Sequence, residues 1–348
     1  YVKWVSAREP RWRELMAPPP LAPGEFRLRR AWASQLPAEL HYDQWMTERC
    51  IAAMDQAQAA DEPFFIWHSF PDPHPPYTAP EPWGSMYDPD DVPPPNRRDG
   101  ELDDLPDHMA MQFREQFLTS GCSGLTDMPD DHIRKMRAMT YGMISHVDHH
   151  VGLLLDELDE RGLREDTVVV FMSDHGRCLG DHWLDNMPPA HFDEVLRVPG
   201  IWRYPRQFAA GLTTDALVSA LDFAPTIPEG EAPPTPECVQ QRPPWPGHSL
   251  APLLSGETAS VRDAVLSELD EDYLGLQLRT LITNNAWMTV YGGDRNRGEL
   301  FDLTQDPNQL HNLWDDPGAA SLKAEMQSRM MYEVIESDSA LPRRLTHA

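Results

Sequence analysis

The run Thr167 to Gly176, TVVVFMSDHG, constrains this chain more than any other stretch. Its valines and Phe171 are apolar, mostly β-branched, and too few for a helix, so they predict a buried strand. Before it lies the strongest helical pattern, residues 130–162, with apolar residues recurring at helical spacing. Asp130 or Asp131 is placed to cap that helix and Gly162 to end it. Helix, short loop and strand in this order form an α/β unit that feeds a parallel sheet. Ligands of such sheets sit beyond the carboxyl ends of the strands, which is where Asp174 and His175 fall. Aspartate offers a hard oxygen and histidine a nitrogen, a pair suited to a divalent cation. Gly176 would let the backbone approach a ligand closely. The competing reading makes Asp174 the cap of a following helix.

Other segments fit the same class. Residues 37–60 suit a helix with Trp45, Ile51 and Met54 on one side. PFFIWHSF (63–70) reads as a second buried strand, ending in a proline-rich frame that holds His74. A histidine there can donate to an anionic oxygen or act as a general acid. His182 and His191 follow Asp174 within one loop–helix segment, so several strand ends and loops can converge on one polar centre. His146 and His150, four apart on the long helix, have metal-ligand spacing, but their apolar flank favours packing. Asp148 reads as a surface residue of that helix or a cap partner. Residues 1–35 read as irregular, and 71–130 as a long Pro- and Asp-rich loop, of a length that is usually functional or disordered. Short β-like runs occur at 198–205 and 213–222, and residues 228–247 are a proline-rich linker or excursion. After about residue 255 short strands succeed one another without helices, predicting an antiparallel sheet followed by a helix near 318–336. The expected division is 1–254, an α/β domain with a mostly parallel central sheet flanked by helices, and 255–348, a smaller antiparallel sheet plus helix.

Lys and Arg total 29 against 56 Asp and Glu, a net charge of -27. So acidic a chain repels nucleic acid and anionic membranes, and no apolar run approaches the length of a membrane span. Cys50, Cys122, Cys178 and Cys238 are scattered and suggest neither a zinc motif nor a disulfide framework. Cys178 has no assignable base and reads as structural. The sequence fixes neither compartment, the cytoplasm being favoured, nor oligomeric state.

The ordered set of motifs resembles the sulfatase family and its phosphonate monoester hydrolase relatives, within the alkaline phosphatase superfamily. DTVVVFMSDHGRCLGDHWL resembles the family's metal-binding segment, and PFFIWHSFPDPHPPYTAPEPW its strand and Pro-His-x-Pro loop. YGMISHVDHHVGLLLDELDERGL resembles the helix before the metal strand, and HFDEVLRVPGIWRYP the Arg-Val-Pro stretch. LDFAPTI, GHSLAPLLSG and GELFDLTQDPNQLHNLWDDP resemble later signatures, so the likeness runs from about residue 37 onward.

The resemblance implies an alkaline-phosphatase-like fold and one divalent metal, calcium or manganese, with Asp174 and His175 matching two ligands. His74 matches a histidine that contacts the sulfate or phosphonate group, and His191 a catalytic position at the site's edge. It also implies a formylglycine nucleophile, made from Cys or Ser in a Cys/Ser-x-Pro-x-Arg motif, whose hydrated aldehyde attacks sulfur or phosphorus. This sequence contains no such motif and no early Asp-Asp metal pair. The nucleophile is therefore expected upstream of Tyr1, with the fold N-terminally incomplete and this chain inactive by itself. A lysine common after the Gly-Asp-His segment is also missing, Asn186 and Met187 standing in that stretch. The expected function is metal-dependent hydrolysis of a small-molecule sulfate ester. A phosphonate monoester or phosphodiester is the first alternative, and a binding module without catalysis the second.

Overall fold

A computed structural model describes residues 1–20, 31–103, 107–110, 128–185, 190–230, 246–271 and 275–340. The chain has an α/β fold with a C-terminal antiparallel sheet and helix. It divides into two compact units: Tyr1–Pro95 with Asp127–Arg164, and Asn96–Thr126 with Glu165–Ala348. This division does not fall at residue 254. Asn186, Met187, Cys122, Cys238 and most of 228–247 lie outside the described residues.

In the first unit two short helices, α1 (Val2–Arg8) and α2 (Trp12–Met16), replace the irregular start expected from sequence. Tyr1 sits among Trp4, Trp12, Tyr42 and Trp45, and its hydroxyl donates to the Leu40 carbonyl at 2.8 Å. β1 (Ala31–Ser34) pairs in parallel with β2 (Tyr77–Pro80). α3 (Tyr42–Ala60) buries Asp43, Thr47, Cys50 and Met54, a stripe with helical period. The stripe is half polar, and Trp45 and Ile51 lie at its flank, only half-buried.

α4 (Asp130–Glu160) packs along α3 and buries Ile133, Met136, Met143, His146, Val147 and His150. Its N-cap is Pro129, without a side-chain cap bond. Asp130 and Asp131 fall in the first turn, where their negative charge complements the positive end of the helix dipole. Gly162, at φ +69°, closes the other end with the Leu163 amide bonded to Leu158 O at 2.9 Å. Gly142 allows close approach, since a Cβ there would meet Trp83 O at 2.3 Å.

The segment 63–70 forms no strand. Its burial alternates with period 2, as an extended chain's should, but Phe65 and Trp67 are more than three-quarters exposed. Among the described residues no strand pairs with it, and without a neighbour an extended run has no ladder.

In the second unit β3 (Val169–Met172) pairs with β4 (Gly200–Arg203), antiparallel rather than parallel. The expected β run at 213–222 instead ends in a turn closed by a capping box, Ser219 Oγ accepting from the Leu221 amide and Asp222 Oδ2 from the Ser219 amide at 2.7 Å. The C-terminal meander follows the sequence pattern: β5 (Val265–Glu271), β6 (Leu276–Ile282), β7 (Ala286–Tyr291) and β8 (Asp294–Asp302), each antiparallel to the next. Its apolar face, with Leu281, Ala286, Met288 and Leu300, packs on Trp314, Met326 and Met330, the last two carried by helix α5 (Ala320–Ala340). No helix among the described residues is long and apolar enough to cross a membrane.

Candidate functional site

β3 ends at Met172, and Ser173, Asp174 and His175 leave it as a tight polar turn. The Ser173 hydroxyl donates to His175 O at 3.0 Å, and the His175 amide donates to Asp174 Oδ1 at 3.0 Å. His175 Nδ1–H donates to Gly176 O at 2.9 Å. That bond places the ring's lone pair on Nε2, the arrangement metal-ligating histidines use. Nε2 stands 3.9 Å from Asp174 Oδ2, and the Asp174 side chain is open to solvent. One carboxylate oxygen and one imidazole nitrogen, adjacent and accessible, fit two places in a divalent metal's shell. Calcium needs about six to eight ligands in all. No helix follows Asp174 directly, so the capping alternative fails.

Gly176 serves a different purpose from the one its sequence suggests. Its amide bonds Val195 O at 2.8 Å, and a Cβ would meet Glu194 O at 2.0 Å. The glycine lets the loop after β3 touch the short helix Asp193–Leu196. Cys178 is fully buried, and burial, then Glu194, Asp181 and Asp185, raise its pKa well above that of a free thiol, so it is unreactive.

His74 lies in the other unit, in a frame where the peptide bonds before Pro73 and Pro76 are cis. Its ring is exposed, and Nδ1–H donates to Pro75 O at 2.8 Å. Nε2 is thereby the atom available to a ligand.

His191, expected at the site's edge, is buried. Its Nδ1 stands 2.7 Å from Thr280 Oγ1, and its carbonyl accepts from Trp287 Nε1 at 3.1 Å. Burial lowers its pKa to about 4, so the ring is neutral. These contacts fasten it to β6 and β7, a packing role. His182 is buried too but charged. Burial would lower its pKa, yet Glu101, whose Oε1 is 2.6 Å from Nδ1, and Glu194, 3.4 Å from Nε2, raise it to about 9. It stacks on Phe192 with ring centroids 3.9 Å apart.

One cluster has no counterpart in the sequence reading. His41, Asp43, Asp72 and His146 bring four buried side chains together, one ligand-type atom of each lying within 4.8 Å of the others. His41 caps α3, Asp43 opens its buried stripe, Asp72 belongs to the proline frame and His146 projects from α4. Asp43 Oδ2 is 3.4 Å from His41 Nδ1 and 3.4 Å from His146 Nδ1. Tyr42 donates its hydroxyl to Asp72 Oδ1. His41 Nε2, both oxygens of Asp43, Asp72 Oδ2 and His146 Nδ1 have no hydrogen-bond partner within the protein. Each such buried atom costs about 1–3 kcal/mol. Burial drives every member toward neutrality, Asp43 and Asp72 up to about 7, His41 down to about 4 and His146 to about 2. His146 and His150 thus pack, as their apolar flank indicates, but inside a polar seam. Nothing in their spacing points to His41 or Asp72, which come from separate segments.

The family model described as Sulfatase matches residues 8–229. The chain belongs to the sulfatase family. A second model, N-sulphoglucosamine sulphohydrolase, C-terminal, matches residues 181–336 of this sulfatase-family chain. Multifunctional alkaline phosphatase superfamily protein PehA of Trinickia caryophylli is 29% identical over 336 residues, spanning 90% of this chain and 63% of the relative. An arylsulfatase of Clostridium perfringens is 26% identical over 288 residues, 82% of this chain and 55% of that protein. The chain thus spans between about half and two thirds of the length of these curated relatives. Among solved structures, phosphonate monoester hydrolase SpPMH from Silicibacter pomeroyi superposes with a TM-score of 0.78 at 26% identity, covering 96% of this chain and 68% of that one.

Proposed function

We propose that this chain carries part of the active site of a metal-dependent hydrolase of sulfate esters. The observation that carries the reading is the Asp174–His175 pair at the end of β3, with the His175 tautomer set by Gly176 O, in a region matched to the sulfatase family. A bound calcium or manganese ion would be held by Asp174 Oδ2 and His175 Nε2 and would polarise the ester oxygens. His74, with Nδ1–H engaged, presents Nε2 to an anionic oxygen or to the leaving group. His191, neutral and enclosed, holds its loop on the meander. The chain holds no Cys/Ser-x-Pro-x-Arg motif, so turnover requires a nucleophile that its own residues do not supply.

A phosphonate monoester or phosphodiester is the second reading. It is favoured by the likeness to the Silicibacter pomeroyi hydrolase, and the same side chains would serve, because both substrates present a tetrahedral anion. The test is to express the complete gene product, assay an aryl sulfate and a phenyl phosphonate side by side, and repeat with Asp174→Asn. Turnover of the sulfate that Asp174→Asn removes is the expected result. Preference for the phosphonate selects the second reading. Turnover of neither, with metal added, leaves a binding module.

A further inference from the structure

The seam between α3 and α4 holds two carboxylates and two imidazoles that the proposed hydrolysis does not use. We propose that His41, Asp43, Asp72 and His146 form a second, structural metal centre for a divalent first-row transition ion, with Zn²⁺ the best match. The donor set is mixed, two nitrogens and two oxygens, which suits zinc better than calcium or magnesium. Tetrahedral bonds of about 2.0–2.1 Å set ligand atoms roughly 3.4 Å apart. His41 Nδ1 and His146 Nδ1 each stand 3.4 Å from Asp43 Oδ2.

The surrounding hydrogen bonds are those of a ligand set. His146 Nε2 is 3.1 Å from His150 Nε2, and His150 Nδ1 is 3.2 Å from Thr47 Oγ1. When His146 Nε2–H donates to His150 and His150 Nδ1–H donates to Thr47, His146 Nδ1 is left as a bare lone pair facing a carboxylate. Tyr42 occupies Asp72 Oδ1, and the Asp72 and Asp43 carboxyls lie close enough to share a proton, a place that a cation would take over. At His41 the Asp43 amide donates to Nδ1 at 3.4 Å, the long cap bond of α3, which an ion at Nδ1 would replace, while Nε2 has no partner within the protein. A cation at the centre would satisfy these atoms together. Among the described residues no Lys or Arg pairs with Asp43 or Asp72, so a divalent ion would supply the missing positive charge and balance both carboxylates.

The ion would join three segments: the cap and first turn of α3, the middle of α4, and the proline frame through Asp72. His74 is two residues beyond Asp72, and its amide bonds Pro71 O at 3.0 Å. The centre would therefore hold the loop that presents His74. That link rests on the proposed role of His74; the ion site does not.

The test is metal binding by the complete gene product, freed of metal by chelation and titrated with Zn²⁺ and Co²⁺ in a calorimeter. Asp174→Asn/His175→Ala removes the hydrolytic metal pair. Asp43→Asn and His146→Gln strike the second centre, with circular dichroism as the check on folding. The expected result is an equivalent of Zn²⁺ still bound by the Asp174→Asn/His175→Ala protein and lost in the folded Asp43→Asn or His146→Gln protein. X-ray absorption at the zinc edge of the Asp174→Asn/His175→Ala protein should show nitrogen and oxygen ligands including imidazole. The absorption measurement decides the matter if the Asp43 and His146 variants do not fold. Absence of Zn²⁺ binding once Asp174 and His175 are replaced, or a shell without imidazole, overturns the centre and makes the cluster a proton-sharing network. Absence of turnover in the protein with Asp174 and His175 intact, with Zn²⁺ bound at this centre, would instead count against the hydrolytic reading alone.

Discussion

The Asp174–His175 pair and the His41–Asp43–Asp72–His146 cluster use the same side-chain chemistry under opposite conditions. The first is adjacent in sequence, lies at a strand end, and keeps its carboxylate in water. The second is gathered from three distant segments and is wholly buried. An exposed carboxylate can stay ionised and wait for a metal at little cost. A buried group must become neutral, find a partner or bind a cation. The contrast teaches that a short motif can mark an open site, whereas a buried polar centre is assembled only by packing.

The largest effect that would break this comparison is on stability. His146→Ala removes a buried ring from the α3–α4 seam and should destabilise the protein by about 2–5 kcal/mol, read by chemical denaturation. A stability unchanged by that substitution would mean that the seam does not depend on the cluster.

A pH titration of stability sharpens the role of burial. His182 is as buried as His146 but flanked by Glu101 and Glu194, and its folded pKa is about 9 against 6.5 for a free histidine. A raised folded pKa stabilises fully below about 6.5 and loses that contribution as pH rises through about 9, here on the order of 3 kcal/mol. His182→Gln should flatten the fall in stability between those pH values. An unaltered profile would mean that the two glutamates do not hold the imidazolium.

Asp174→Asn should lower turnover of the complete protein by about 100-fold or more, while its melting temperature stays put because the side chain is exposed. A large drop in melting temperature would assign Asp174 to the fold. The smallest effect is expected at Trp67, where replacement by Ser should change stability by no more than about 0.5 kcal/mol, the usual range at exposed positions. A larger loss would show that Trp67 is packed in solution.

Much of the scaffold is legible in local pattern. The helical period of 130–162, the glycine that ends it, the strand at β3 and the short strands after residue 255 are local properties, and the structure keeps them, although β3 is half-buried rather than buried. Misreadings occur where an element needs a partner. Residues 63–70 carry a strand's alternation without a neighbour among the described residues, and β3 takes an antiparallel partner that its own residues do not specify. Gly176 reads as a ligand contact but accommodates the Glu194 backbone, and His191, expected at the site's edge, is held by Thr280 and Trp287.

By itself the sequence determined the class of fold and the family, and set Asp174 and His175 side by side, because each is written in adjacent residues or in periods of two and of three to four. Only the tertiary structure decided which histidines are charged, which are neutral, and that His41, Asp43, Asp72 and His146 meet. Protonation follows from burial and neighbouring charge, and neither exists until distant segments pack.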